Sequence, residues 1–141
     1  MPIAVNIVEN VAVWFVKGDL SLQDLHKAFA QTAVVRESYP KNARLFLVWT
    51  AKVPQAVREE ITRMHARTSE IFERIVCYGP PQVLAAITVR CVLSGKFGVG
   101  IEGGTKLRPV LEYVSHGLPS AVQLKINRLE SEIRVLAPHD F

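Results

Sequence analysis

Dense apolar runs alternate along the chain with longer stretches of helical spacing, and that alternation sets the expected elements. Ile3–Val8 (IAVNIV) and Val11–Val16 (VAVWFV) are parted only by Glu9-Asn10. Two β-branched runs across a two-residue polar break predict a hairpin, with Asn10 suited to the positive φ such a turn often needs. The second run is apolar at every position, so it belongs inside a sheet covered on both faces. Ser21 and Asp24 have the spacing of a capping box, and the helix beyond them runs to about Ser38. Leu22, Leu25, Phe29 and Ala33 are spaced to face the sheet. Tyr39-Pro40 ends this helix, because the residue before proline avoids helical geometry.

Arg44–Trp49 (RLFLVW) predicts a central strand, parallel to a neighbour. Thr50-Ala51-Lys52 forms the loop after it, and Pro54 suits the first turn of a second helix that ends near Glu73. Val57, Ile61, Met64, Thr68 and Ile71 are its inward positions. Arg58, Glu59, Arg63, Arg67 and Glu70 lie outside, with Glu59 and Arg63 in a favourable i,i+4 relation. Arg74–Tyr78 (RIVCY) predicts a fourth strand, broken by Gly79-Pro80-Pro81. A third helix is expected from about Pro81 to Ser94, with Gln82, Thr88 and Arg90 its only polar residues up to Leu93. Such a helix has no full polar face to show to water, so it is covered by the fold or meets a partner.

Ser94–Lys106 is glycine-rich and predicts a connector; Leu107–Val114 predicts the fifth strand, placed at an edge by Pro109. Pro119 opens a last helix with the stripe Val122, Ile126, Leu129, Ile133 and Leu136, and with Glu130 and Arg134 paired outside. The order is β-β-α-β-α-β-α-β-α. It describes one α/β domain over residues 1–141, a five-stranded mixed sheet with four helices.

Composition narrows the classes. A chain of 141 residues that is 49% hydrophobic and 21% charged can build a core and is not disordered. Its apolar runs fall short of the roughly 18 residues that span a bilayer. Met1-Pro2-Ile3-Ala4 lacks the basic start of a signal peptide, so a cytoplasmic location is expected. The net charge of +4 comes from basic residues interleaved with acidic ones, which weighs against a nucleic-acid surface. Cys77 and Cys91 stand in apolar stretches outside any CxxC and read as buried free thiols.

The chain resembles the SpoIIAA-like, or STAS-like, domains (anti-sigma-factor antagonists and their relatives). Four stretches carry the likeness: Gly18 and Ser21 opening the first helix; RLFLVW followed by the Thr50 loop and Pro54; FERIVCYGPPQVLAAITV, where a strand ends in glycine and enters an apolar helix; and LRPVLEYV as a late strand before the terminal helix. The resemblance implies a non-enzymatic regulatory or scaffolding module that binds another protein. It places the partner surface at Thr50, Lys52, Gln55 and Arg58 and makes Thr50 the candidate phosphoacceptor. The antagonists carry an Asp-Ser-Ser-Gly stretch there; this chain has Thr50-Ala51-Lys52-Val53-Pro54-Gln55-Ala56, with no Asp-Ser pair.

Other chemistry is thin. Gly98-Val99-Gly100-Ile101-Glu102-Gly103 spells GxGxxG, but it follows a helix and precedes a strand, so no helix N-terminus is expected to face a phosphate there. His26, His65, His116 and His139 have no second ligand at helical spacing; His116, at the end of the expected fifth strand, is the best single candidate among them. No catalytic residue, metal or cofactor is expected. The alternative function is binding of a small apolar or anionic ligand, a lipid or nucleotide, with Gly95–Lys106 as a lid. The apolar helix Pro81–Leu93 is a candidate homodimer contact.

Overall fold

A computed structural model describes residues 2–88 and 101–141, with the side chains of residues 65–70 outside that description. The chain forms β1 (Ile3–Val8), β2 (Val11–Val16), α1 (Leu22–Ser38), β3 (Arg44–Trp49), α2 (Gln55–Ile71), β4 (Arg74–Tyr78) and α3 (Pro81–Ile87). It continues with β5 (Ile101–Gly104), α4 (Leu107–Ser115), α5 (Ser120–Asn127) and α6 (Leu129–Leu136). The sheet order is β1-β2-β3-β4-β5, with β1 antiparallel and the other pairs parallel. The α/β class and the five-stranded mixed sheet are as expected.

Strand alternation divides the core into two layers. Ala12, Trp14, Val16, Leu45, Leu47, Trp49, Ile75 and Cys77 point to one face, which also holds buried residues of α1, α2 and α3. Val11, Val13, Phe15, Phe46, Val48, Val76 and Tyr78 point to the other, against α4, α5 and α6. Every residue of β2 and β3 is buried, the reason both read as continuous apolar runs.

The largest departure from expectation lies after α3. Leu107–Val114 is not a strand but helix α4, and the fifth strand is Ile101–Gly104, inside the segment expected to be a connector. The helix has a clear cause. Leu107, Val110, Leu111 and Val114 are buried at i, i+3, i+4 and i+7, a helical stripe. Pro109 falls in the first turn, where its missing N–H has no intrahelical role. The glycines of β5 serve close packing: a Cβ on Gly103 would lie 2.8 Å from Thr88 Cγ2 and 2.9 Å from Leu84 Cδ2.

The helices also differ in number. If α5 and α6, which abut at Arg128 in helical backbone, count as one broken helix, the described residues hold five rather than four. The expected last stripe survives the break, since Ile126, Leu129 and Ile133 are buried and Val122 and Leu136 half-buried. Helix α3 ends at Ile87; residues 89–100, including Cys91, lie outside the described residues.

Smaller corrections have local causes. At the hairpin the positive φ (53°) belongs to Glu9, not Asn10. Asn10 is buried and ties the turn to β3: its Nδ2 donates to Asn42 O at 2.7 Å, and its carbonyl accepts from Arg44 N at 2.8 Å. The capping box of α1 forms as expected, with Ser21 and Asp24 exchanging hydrogen bonds. The buried stripe of α1 is Leu25, Ala28, Thr32 and Val35, while Leu22 and Ala33 are exposed. Thr32 turns inward because its hydroxyl accepts from Trp14 Nε1 at 2.7 Å and donates to Ala28 O at 2.8 Å. The expected outer pairs are replaced. Arg63 meets the buried Glu60, Glu59 accepts from Gln55, and Arg134 meets Asp140 at 3.0 Å.

Candidate functional site

The parallel strands end side by side at Val16, Trp49, Tyr78 and Gly104. Loops at this end of an α/β sheet are where such folds place recognition. Thr50 begins the loop after β3. Its backbone N–H and its Oγ1 both reach Val16 O, at 3.2 and 3.1 Å, so the half-buried hydroxyl is already engaged. A Cβ on Gly79 would stand 2.4 Å from Trp49 O, so glycine lets the β4 loop close against the end of β3. Inside the sheet, Cys77 is fully buried and its thiol is pushed up to about 12 by burial, which leaves it neutral and unreactive.

Lys52 is exposed, and Pro54 O accepts from Arg58 N at 2.9 Å to start α2. Val57 is buried, and that anchor turns Gln55, Arg58, Glu59 and Thr62 outward. With the half-buried Val53 and Ala86 they line an open groove of about 540 Å³ between α2 and α3. Gln55 Nε2 donates to Glu59 Oε1 at 3.2 Å, while Lys52 and Arg58 make no ion pair among the described residues. The structure thus brings Gln55 and Arg58 onto one surface, with Thr50 and Lys52 on the loop that leads to it. Val53 and Ala86, missed in the sequence, are its apolar floor; no local pattern marks them, because they meet only when α3 packs beside α2.

The other candidates lie elsewhere. His116 is exposed beyond α4, at the opposite end of the sheet, and among the described residues its carbonyl is engaged by Arg44 at 2.8 Å. The GxGxxG segment needs correction. Its described part, Ile101-Glu102-Gly103, lies in β5, and a helix N-terminus does follow at Leu107. That terminus is occupied by Asp140, whose Oδ1 accepts from Leu107 N at 3.0 Å and from Tyr78 Oη at 2.8 Å. The Leu107 N–H, with Tyr78 and Arg134, holds the Asp140 carboxyl below its ordinary range. Burial, with Asp140 beside it, pushes the Tyr78 hydroxyl up to about 12.

The expected lid is likewise strand where it is described, at Ile101–Gly104. The apolar cavity between α1, α2 and the sheet measures about 40 Å³, room for very few waters and too small for a lipid. In α3, Val83 and Ile87 are buried and the exposed residues are Pro81, Gln82 and Ala85, so its described part shows no large apolar face. Among the described residues no group of three or more His, Cys, Asp or Glu could hold a metal, and no helix is long and apolar enough to cross a membrane.

Compared with protein-family models, curated proteins and solved structures, the chain matches none.

Proposed function

We propose that this domain is a non-enzymatic, STAS-like regulatory or scaffolding module that binds another protein through the loop Thr50–Lys52 and the groove at Gln55 and Arg58. The observation that carries the reading is the groove itself. Arg58 lines it over an apolar floor of Val53 and Ala86, with Glu59 held by Gln55 at its side, and Lys52 stands on the loop that leads to it; Lys52 and Arg58 are free of ion pairs among the described residues. Free cations around a small apolar patch suit an acidic segment with an apolar anchor. The Thr50 loop, RLFLVW before it and Pro54 after it supply the family resemblance at the same place. Phosphorylation of Thr50 would have to break the bond from Oγ1 to Val16 O, so the reading rests on the groove and not on a phosphate switch.

The test is a photo-crosslinking amino acid placed at Gln55 in the native host, with Arg108 on the exposed side of α4 as control position. The expected result is a discrete crosslinked protein at Gln55 that Arg58→Glu abolishes. Equal products at both positions, or products indifferent to Arg58→Glu, would sink the reading.

A further inference from the structure

Among the described residues, the β1 edge of the sheet lacks the devices that keep edges apart. Proteins protect an exposed strand with charges, proline, bulges or shortness. Strand β1 has six residues, Ile-Ala-Val-Asn-Ile-Val, with no charge and no proline. Its pairing with β2 runs one-to-one from Ile3↔Val16 to Val8↔Val11, so it carries no bulge. The β5 edge differs: it has four residues, a charge at Glu102 and two glycines.

A two-residue hairpin turn closes on a hydrogen-bonded pair, here Val8↔Val11, and bonded pairs then recur at every second residue. Lys17 N donates to Pro2 O at 2.7 Å, which confirms the even phase. The N–H and C=O groups of Ile3, Val5 and Ile7 therefore point away from β2, along an edge where Ile7 is exposed, Val5 half-buried and Ile3 buried.

Those positions are self-complementary. A two-fold axis through Val5 sets Val5 against Val5 of a second copy and Ile3 against Ile7, so that all six outward N–H groups find carbonyls. Charge fits the same operation. Lys17 and Glu132 both border the groove along Ala4–Asn6, and neither makes an ion pair among the described residues. Glu132 also borders the groove at the Ile7–Glu9 end, with Arg128 and the Lys125–Glu9 ion pair beside it, whereas Lys17 adjoins Pro2. The axis turns the Lys17 end of one copy onto the Glu132 end of the other, twice. Ile7 at 42% exposure and Val135 at 82% add apolar surface beside the seam.

We infer that two copies of this chain pair antiparallel through β1, joining their sheets into one ten-stranded sheet centred on Val5. The interface is separate from the groove at Arg58 and stands without the reading given to that groove.

Sedimentation velocity of the purified protein tests it, together with Val5→Pro, Lys17→Glu and the double variant Lys17→Glu/Glu132→Lys. The Val5 N–H takes no part in the β1–β2 ladder, so proline there removes an outward donor and no intrachain ladder bond, while also trimming a half-buried side chain that packs on the core. A concentration-dependent dimer in the wild type and a folded monomer in Val5→Pro are expected. Lys17→Glu should weaken dimerisation about tenfold and the double variant should restore it, a readout that holds even if Val5→Pro fails to fold. A wild type that stays monomeric at high concentration overturns the inference. So does a folded Val5→Pro that still dimerises, or a dimer indifferent to both charge variants.

Discussion

The two ends of β3 put the cations beside them to opposite uses. At the N-terminal end, Arg44 is buried and tied down through Nε and Nη1. Its Nε donates to Glu73 Oε2 at 2.9 Å, and its Nη1 donates to Val114 O at 2.7 Å and His116 O at 2.8 Å. It thereby caps the last carbonyls of α4 and fastens that helix to β3 and the segment before β4. Arg74 nearby donates to Tyr113 O and lies 4.3 Å from the centre of the Tyr113 ring. At the C-terminal end, Lys52 and Arg58 face solvent beside half-buried apolar residues. The same residue types hold the fold together at one end of β3 and face solvent at the other. What separates the two uses is burial, since a buried guanidinium must satisfy its donors within the protein and an exposed one need not.

This contrast can be broken or sharpened by substitution. The largest effect is expected at Arg44. Arg44→Met leaves Val114 O and His116 O without their donor and should cost about 3 kcal/mol in urea denaturation. A loss near zero would mean that α4 is held by apolar packing alone. Thr32→Val comes next: it removes the acceptor of the buried Trp14 Nε1 and should cost about 1–3 kcal/mol by the same measurement.

A smaller, pH-dependent effect is expected from the Asp140 latch on α4. The backbone N–H of Leu107 is the main stabiliser of its ionised form, and the folded-state pKa lies below the ordinary 3.8. A group depressed in this way stabilises the fold at pH values above its unfolded pKa and loses that contribution as pH falls through the folded value. Asp140→Asn should therefore lower the melting temperature at neutral pH, and the gap to wild type should shrink on acidification below about pH 4. A gap constant with pH would refute the latch. The least effect on stability is expected of Arg58→Glu, within about 0.5 kcal/mol, although it should abolish crosslinking from Gln55. A large loss of stability there would place Arg58 with Arg44 as a structural cation and erase the comparison.

Much of this was legible from spacing. The apolar runs IAVNIV, VAVWFV, RLFLVW and RIVCY lie where β1 to β4 form, and Ser21 with Asp24 caps α1 as their separation requires. These are local signals, in which a residue's neighbours within one turn or one hairpin decide its conformation. The stretch 101–114 departs from the sequence expectation because two local rules compete there. Glycines argue against a strand, and proline with β-branched valines argues against a helix. Packing overrode both: Gly103 is a strand residue because α3 lies on it, and Pro109 is helical because it falls in the first turn of α4. The candidate surface shows the same division. Gln55 and Arg58 are neighbours on α2 at i and i+3, readable in sequence, whereas Ala86 joins them only through the packing of α3.

The sequence by itself determined the alternation of strand and helix, the mixed hairpin edge and the buried middle of the sheet, because those follow from residue periodicity at short range. Only the tertiary structure decided which face each helix covers, that a glycine segment completes the sheet, and which cations are consumed in holding it. Those outcomes depend on contacts between residues distant in the chain, Arg44 with Val114 and Tyr78 with Asp140 among them, whose partners no local pattern names.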